Sequence, residues 1–198
     1  MPASTPSTVR SESRILKAAL GLFAEQGYHG TTIREIARDA GLSVPGVYHH
    51  YRSKQDVLVD LMVTVLGELL TRTRSAVDAV DEADVSARFD ALVSELVRFH
   101  AERREEAFVA STELRGLDPD NRRRVVALRD EQQAMLEACI ASGCDRGVFA
   151  TPYPREAARA VAVLCVGVAS WYRPGGGDAI SALVRGQLGL CRALVEAR

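Results

Sequence analysis

The sequence predicts an all-α protein in two parts: a small N-terminal unit of three helices and a larger helical body. Three observations carry this. Apolar residues recur at helical spacing from Ile15 to Leu194. Residues that cap helices stand before these stretches, notably Thr32, Ser43, Ser53, Asp118 and Asp178. There is no alternating β-branched run bounded by turns.

Residues 1–10 are rich in Ser, Thr and Pro and read as a flexible arm. They contain no hydrophobic signal segment, and the chain has no apolar run long enough for a membrane span, so the expected location is cytoplasmic. The N-terminal unit covers residues 11–54. In Arg14–Gln26, Ile15, Ala18, Ala19, Leu22 and Phe23 share one face, and Gly27 closes the helix. Thr32 and Glu35 form a capping box for the next helix, which buries Ile33, Ile36, Ala37 and Ala40. Gly41 supplies the turn. Ser43 caps a third helix with Pro45 in its first turn, and Ser53 caps a fourth. Two short helices joined by a tight turn are the geometry that lays a helix in a DNA major groove.

Residues 55–198 form the body. Gln55 to about Val80 is one long helix with a wide apolar face, and an acidic loop follows at Asp78–Asp84. Helices are expected from Val85 to about Arg104 and over Ala107–Leu114. The next starts at Pro119, capped by Asp118, and ends near Ser142, with Gly143 as its terminator. Arg155 to about Tyr172 is nearly continuous Ala, Val and Leu and is read as buried on most sides. Asp178 caps a last helix reaching Glu196.

The formal net charge of −1 conceals a division. Between Arg10 and Lys54, seven Lys/Arg face four acids; the other residues carry 18 bases and 22 acids. A basic end on a mildly acidic body suits a DNA-reading unit attached to something that does not read DNA. Cys139, Cys144, Cys165 and Cys191 lack zinc-ligand spacing. They read as reduced core residues, with a redox switch as the sharper alternative. No nucleophile elbow, phosphate loop or metal motif supports an enzyme, and no cofactor is expected. A constitutive DNA-bending protein would not need so large an apolar body.

The run Thr-Thr-Ile-Arg-Glu-Ile-Ala from Thr31, then Gly-Leu-Ser from Gly41, then Val-Tyr-His-His-Tyr-Arg-Ser-Lys ending at Lys54 resembles the tetracycline-repressor (TetR) family of bacterial regulators. Phe23 to Tyr28 extends the match, which covers the first quarter of the chain. The resemblance implies a homodimeric, ligand-responsive repressor that binds a near-palindromic operator through its N-terminal unit. The body would then be a ligand-binding and dimerisation domain. Val161, Val168, Ala182, Leu183, Gly186, Leu190 and Leu194 would form a four-helix interface with a second copy, or else an intramolecular core. A two-fold protein can read two half-sites about 34–36 Å apart.

Chemistry and family pattern together name a DNA-reading set. Thr32 and Ser43 offer hydroxyls and helix starts to phosphates. By position in the family pattern, Tyr48, His49 and Lys54 also hold phosphates. Arg34 is the candidate for guanine, while Val44, Pro45 and Gly46 can meet thymine methyls. Tyr48 and Tyr51 could instead be core, and His50 could pack or cap.

The stretch Trp171–Gly177 reads as a glycine turn with Trp171 as an anchor, or as an anion site built on Arg173. Trp-Tyr-Arg-Pro-Gly-Gly at this place looks like a branch of the family that controls fatty-acid or steroid catabolism and responds to acyl-CoA thioesters. Such a ligand needs cations for its phosphates and an apolar tunnel for its chain. Arg122, Arg123, Arg124, Arg129 and Arg173 are candidate cations. Met62, Leu66, Phe89, Phe99, Phe108, Met135 and Trp171 are candidates for the tunnel. A drug-responsive efflux regulator is the alternative; it would need the tunnel without the cations.

Overall fold

The computed structural model describes residues 6–173, 175 and 179–196. The described residues are helical with connecting turns and contain no strand. The order is α1 (Pro6–Gly30), α2 (Ile33–Asp39), α3 (Val44–His50), α4 (Lys54–Asp78), α5 (Val85–Glu102) and α6 (Arg104–Thr112). A 3-10 turn (Glu113–Gly116) follows, then α7 (Pro119–Asp145), α8 (Pro154–Trp171) and α9 (Ala179–Leu194).

The caps work as the sequence indicates. The Thr32 amide donates to Glu35 Oε2 at 2.8 Å, and the Glu35 amide donates back to Thr32 Oγ1 at 3.3 Å. Ser43 Oγ accepts from the Gly46 amide at 3.1 Å, and Ser53 Oγ from the Asp56 amide at 3.1 Å. Asp118 Oδ1 accepts from the Asn121 amide at 2.9 Å. Gly41 adopts φ 63°, a left-handed turn, and its carbonyl accepts from the Arg14 guanidinium at 3.0 Å.

Helices α1–α3 close over a small core of Ile15, Ala19, Phe23, Ile36, Ala37 and Val47. The N-terminal part of α4 belongs to it as well, since Val57 and Leu58 are fully enclosed. The body packs α4, α5, α7 and α8 around Phe89, Leu92, Phe99, Leu136, Ile140 and Val161. Each large side chain so buried contributes about 1.5–3 kcal/mol. Between them the packing is pinned by ion pairs. Arg72 on α4 reaches Glu95 and Glu102 on α5 at 2.5 and 2.9 Å. Arg192 on α9 grips Asp90 on α5 with both ends of its fork, at 2.8 and 2.6 Å.

Four expectations are corrected. α1 already exists at Pro6, so residues 6–10 are helix rather than arm. Gly27 leaves helical geometry, at φ 75°, yet the chain resumes helical hydrogen bonding to Gly30. Gly143 does not end α7, which runs on to Asp145; the left-handed residue is Gly147, at φ 69°. Gly143 is glycine because the Phe149 ring fills the space of its side chain. α8 is not buried on most sides, since Val163 is 71% exposed and Val166 lies beside solvent too. The expected Asp178 cap, with Pro174, Gly176 and Gly177, falls outside the described residues.

Candidate DNA-reading face and effector cavity

The exposed face of α2 and α3 holds most of the candidate DNA residues. Arg34 is exposed and has no side-chain partner among the described residues. Tyr48 is 51% exposed, and His49 and Pro45 are also on the surface. Gly46 is half-buried, and Val44 is partly turned onto the core. Ser43 accepts from Gly46, which leaves its own hydroxyl proton free for an acceptor. The Thr32 hydroxyl is engaged, donating to Glu35 Oε2 at 2.8 Å, so a phosphate near Thr32 would meet backbone N–H groups.

Lys54 is placed differently from the family expectation. Its ammonium is turned inward and donates to the carbonyls of Tyr28 and Thr31 at 2.5 and 2.6 Å. It also stands 4.2 Å from the centre of the Tyr28 ring. Burial holds its pKa below the ordinary lysine value. In this arrangement Lys54 joins the end of α1 to the start of α4. Tyr51 is core, as one of the two readings had it. Its hydroxyl donates to Asp60 Oδ2 at 2.7 Å, and burial, then that carboxylate, push the phenol well above its usual pKa. His50 packs, with Nδ1 3.4 Å from Glu12 Oε1.

Within the body a cavity of about 480 Å³ opens between α4, α5, α6, α7 and α8. Its wall is mostly aliphatic and aromatic: Val65, Leu66, Leu69, Leu96, Phe99 and Leu136. Arg129, Asp130 and Arg159 also line it. Arg129 is half-buried and donates to the Ala110 carbonyl; burial lowers its pKa from the ordinary arginine value.

Of the proposed tunnel residues, Leu66 and Phe99 line this cavity. Met62 and Phe89 do not; both are fully enclosed, and the Phe89 ring packs edge-on against Phe149 at 5.2 Å. Phe108 and Met135 border other, smaller or more polar hollows. Trp171 is 53% exposed on the outside of α8. Arg173 is exposed and donates to the Ser170 and Tyr172 carbonyls at the end of α8. Of the candidate cations only Arg129 reaches the cavity; Arg122, Arg123 and Arg124 form a solvated face. Sequence reasoning missed Arg159 and the polar pair His100 and Gln132. The signal for the pair was present, since each interrupts an apolar helical stripe, His100 after Leu96 and Gln132 before Leu136.

The reader and the body match separate family models. Residues 15–61 match the model of bacterial regulatory proteins, tetR family. Residues 82–195, more than half of the chain, match that of the tetracyclin repressor-like C-terminal domain. The chain belongs to the TetR family. It is a helix-turn-helix DNA-binding transcriptional regulator, and that membership, with the fold, sets an enzyme reading aside.

The HTH-type transcriptional repressor KstR2 of Mycobacterium tuberculosis is 27% identical over 166 residues, spanning 82% of this chain and 81% of its own. Among solved structures, a tetR-family regulatory protein from Rhodococcus RHA1 superposes with TM-score 0.86 at 27% identity, covering 95% of this chain and 98% of that one. AibR, solved with isovaleryl coenzyme A and operator DNA, superposes with TM-score 0.82 at 20% identity, covering 91% and 97%. That last likeness establishes a shared TetR fold. No described helix is long and apolar enough to cross a membrane.

Proposed function

We propose that this TetR regulator is a homodimeric repressor released from a near-palindromic operator by an acyl-CoA thioester. The observation that carries the reading is the body cavity, with an apolar wall for an acyl chain and Arg129 and Arg159 for coenzyme A phosphates. The arrangement is consistent with the ligand that AibR was solved with. At the reader, Arg34 takes guanine, and Pro45, Gly46 and Val44 approach thymine methyls. Ser43, Tyr48, His49 and the backbone at Thr32 hold phosphates. With so few groove-reaching donors on α3, DNA shape supplies part of the specificity.

The dimer pairs through the outer faces of α8 and α9. Val163 and Trp171 on α8, and Leu190 and Leu194 on α9, present an apolar face that a single copy leaves in water. Ala182 and Gly186 are exposed on α9, and Leu183 is half-buried there. Val161 and Val168 belong instead to the core of one copy, where both are fully enclosed.

Coupling runs through α4. Its middle turns line the cavity at Val65, Leu66 and Leu69, and its first turns are fixed to the reader by Lys54 and by the Tyr51–Asp60 hydrogen bond. A ligand that favours one tilt of α4 changes the separation of the two recognition helices. The shift can be no larger than the ligand's differential affinity for the two states.

The test is binding to DNA upstream of the protein's own gene, with acyl-CoA thioesters, the free acids and hydrophobic drugs added in turn. Release by a thioester and not by its free acid is the expected result. Release by drugs alone would establish the efflux reading, and binding indifferent to all three would remove the effector.

A further inference from the structure

The effector cavity is not wholly apolar. His100 of α5 and Gln132 of α7 open onto it from the packed interior, 4% and 8% exposed. The His100 Nδ1–H donates to the Leu96 carbonyl at 2.7 Å, and burial lowers the ring's pKa below the ordinary imidazole value. The ring is therefore neutral near pH 7, and its Nε2 is a lone-pair acceptor. Among the described residues nothing pairs with that nitrogen.

Gln132 shows the same want from the other side. Its Oε1 accepts from Thr73 Oγ1 at 2.9 Å, while its Nε2 is buried without a partner. Whichever way the amide is turned, one of its two polar atoms is left over. Buried polar atoms are nearly always satisfied in native proteins, so an unpaired amide nitrogen on one residue lining the cavity, and an imidazole nitrogen without a partner on another, call for an explanation in its occupant.

We propose that His100 and Gln132 read a hydroxyl on the apolar part of the effector. The site then selects a hydroxylated acyl or ring compound over its unsubstituted parent. The proposal rests on the reading of this cavity as the effector site. A hydroxyl fits the pair because it can donate its one proton to His100 Nε2 and accept from the Gln132 amide nitrogen. A carbonyl only accepts and leaves His100 unmet; an alkyl chain leaves both unmet. Val65, Leu66, Leu69, Leu96, Phe99 and Leu136 hold the remainder of the molecule dry.

The experiment is calorimetric titration of the full-length protein with decanoyl-CoA, 3-hydroxydecanoyl-CoA and 10-hydroxydecanoyl-CoA, then with the three free acids. At least one hydroxylated thioester is expected to bind about tenfold or more tightly than decanoyl-CoA. The variants His100→Phe and Gln132→Met, checked by circular dichroism and thermal melting, are each expected to reduce that preference to about twofold or less.

Equal binding of hydroxylated and unsubstituted thioesters by the wild-type protein overturns the proposal while leaving the acyl-CoA reading standing; the polar pair would then hold water. A preference that survives in a folded variant also overturns it. A hydroxyl preference among the free acids, with no thioester bound, keeps the proposal and overturns the acyl-CoA reading. If no probe binds, both fall.

Discussion

The ammonium of Lys54 donates to the backbone carbonyl of Tyr28 and at the same time stands over that residue's ring. One side chain thus closes the end of α1 onto the start of α4. Lys54→Met keeps the stem and removes the cation, leaving two carbonyls without their donor. We expect a loss of about 1–2 kcal/mol, read as a lower Tm. The salt dependence of operator binding should be unchanged. A slope reduced by about one ion, with Tm unaltered, would put Lys54 on a phosphate.

Gly143 lies inside α7, and a Cβ there would run into the Phe149 ring. The ring is itself packed against Phe89. Gly143→Ala is expected to cost about 1–3 kcal/mol by overpacking, although alanine favours helix. Chemical denaturation checks the sign, since an exposed glycine in the same helix would be stabilised by the same change.

Leu190→Asp should leave the single copy folded and separate the dimer. Leu190 is 55% exposed, so the carboxylate meets water in the monomer and apolar surface in the pair. Sedimentation at micromolar concentration should show a shift toward the monomer mass. Operator affinity should drop together with it, because one copy holds one half-site.

In the proposed reading, Arg34 takes a base and Tyr48 a phosphate. Arg34→Ala should weaken operator binding by about 1–3 kcal/mol and narrow the gap to random DNA. Tyr48→Phe should weaken both DNAs alike. Titrations against the two DNAs over a range of salt distinguish these patterns, and a uniform loss for Arg34→Ala would move it to a phosphate.

The buried His100 makes stability depend on pH. Its folded pKa lies below the ordinary value of 6.5. On acidification the unfolded chain takes up a proton before the folded one does, so stability is fully present above about 6.5 and declines as pH falls through the folded value. Melting temperatures from pH 7.5 down to 5 should decrease, and His100→Phe should flatten that decline.

The reader was legible because its signals are local. Thr32–Glu35, Gly41, Ser43 and Ser53 each set a helix end within four residues, and the structure has them all. The cavity was less legible because its lining depends on how four long helices rotate against one another. Periodicity marks Met62, Phe89 and Phe99 as inward alike, yet only Phe99 faces the hollow. Lys54 shows the same limit, since position in a pattern does not reveal that the carbonyls of Tyr28 and Thr31 lie within its reach. The helical identity of 6–10 escaped for another reason: Pro6 and its Ser/Thr neighbours suit a helix start as well as a tail.

The joint between reader and body has a practical consequence. The Tyr28 amide donates to Glu113 Oε2 at 3.2 Å, and the Tyr28 ring occupies the space where a side chain on Gly116 would stand. On the body side of that joint, Gln55 Oε1 accepts from both the Asp118 amide and Asn121 Nδ2 at 2.9 Å, which ties the start of α4 to the same segment. The two halves are thus not interchangeable cassettes cut at Lys54. A biosensor that grafts a foreign reader onto this body must carry a compatible 113–121 segment with it. Without that match, the hybrid would still bind its operator and would no longer hear its ligand.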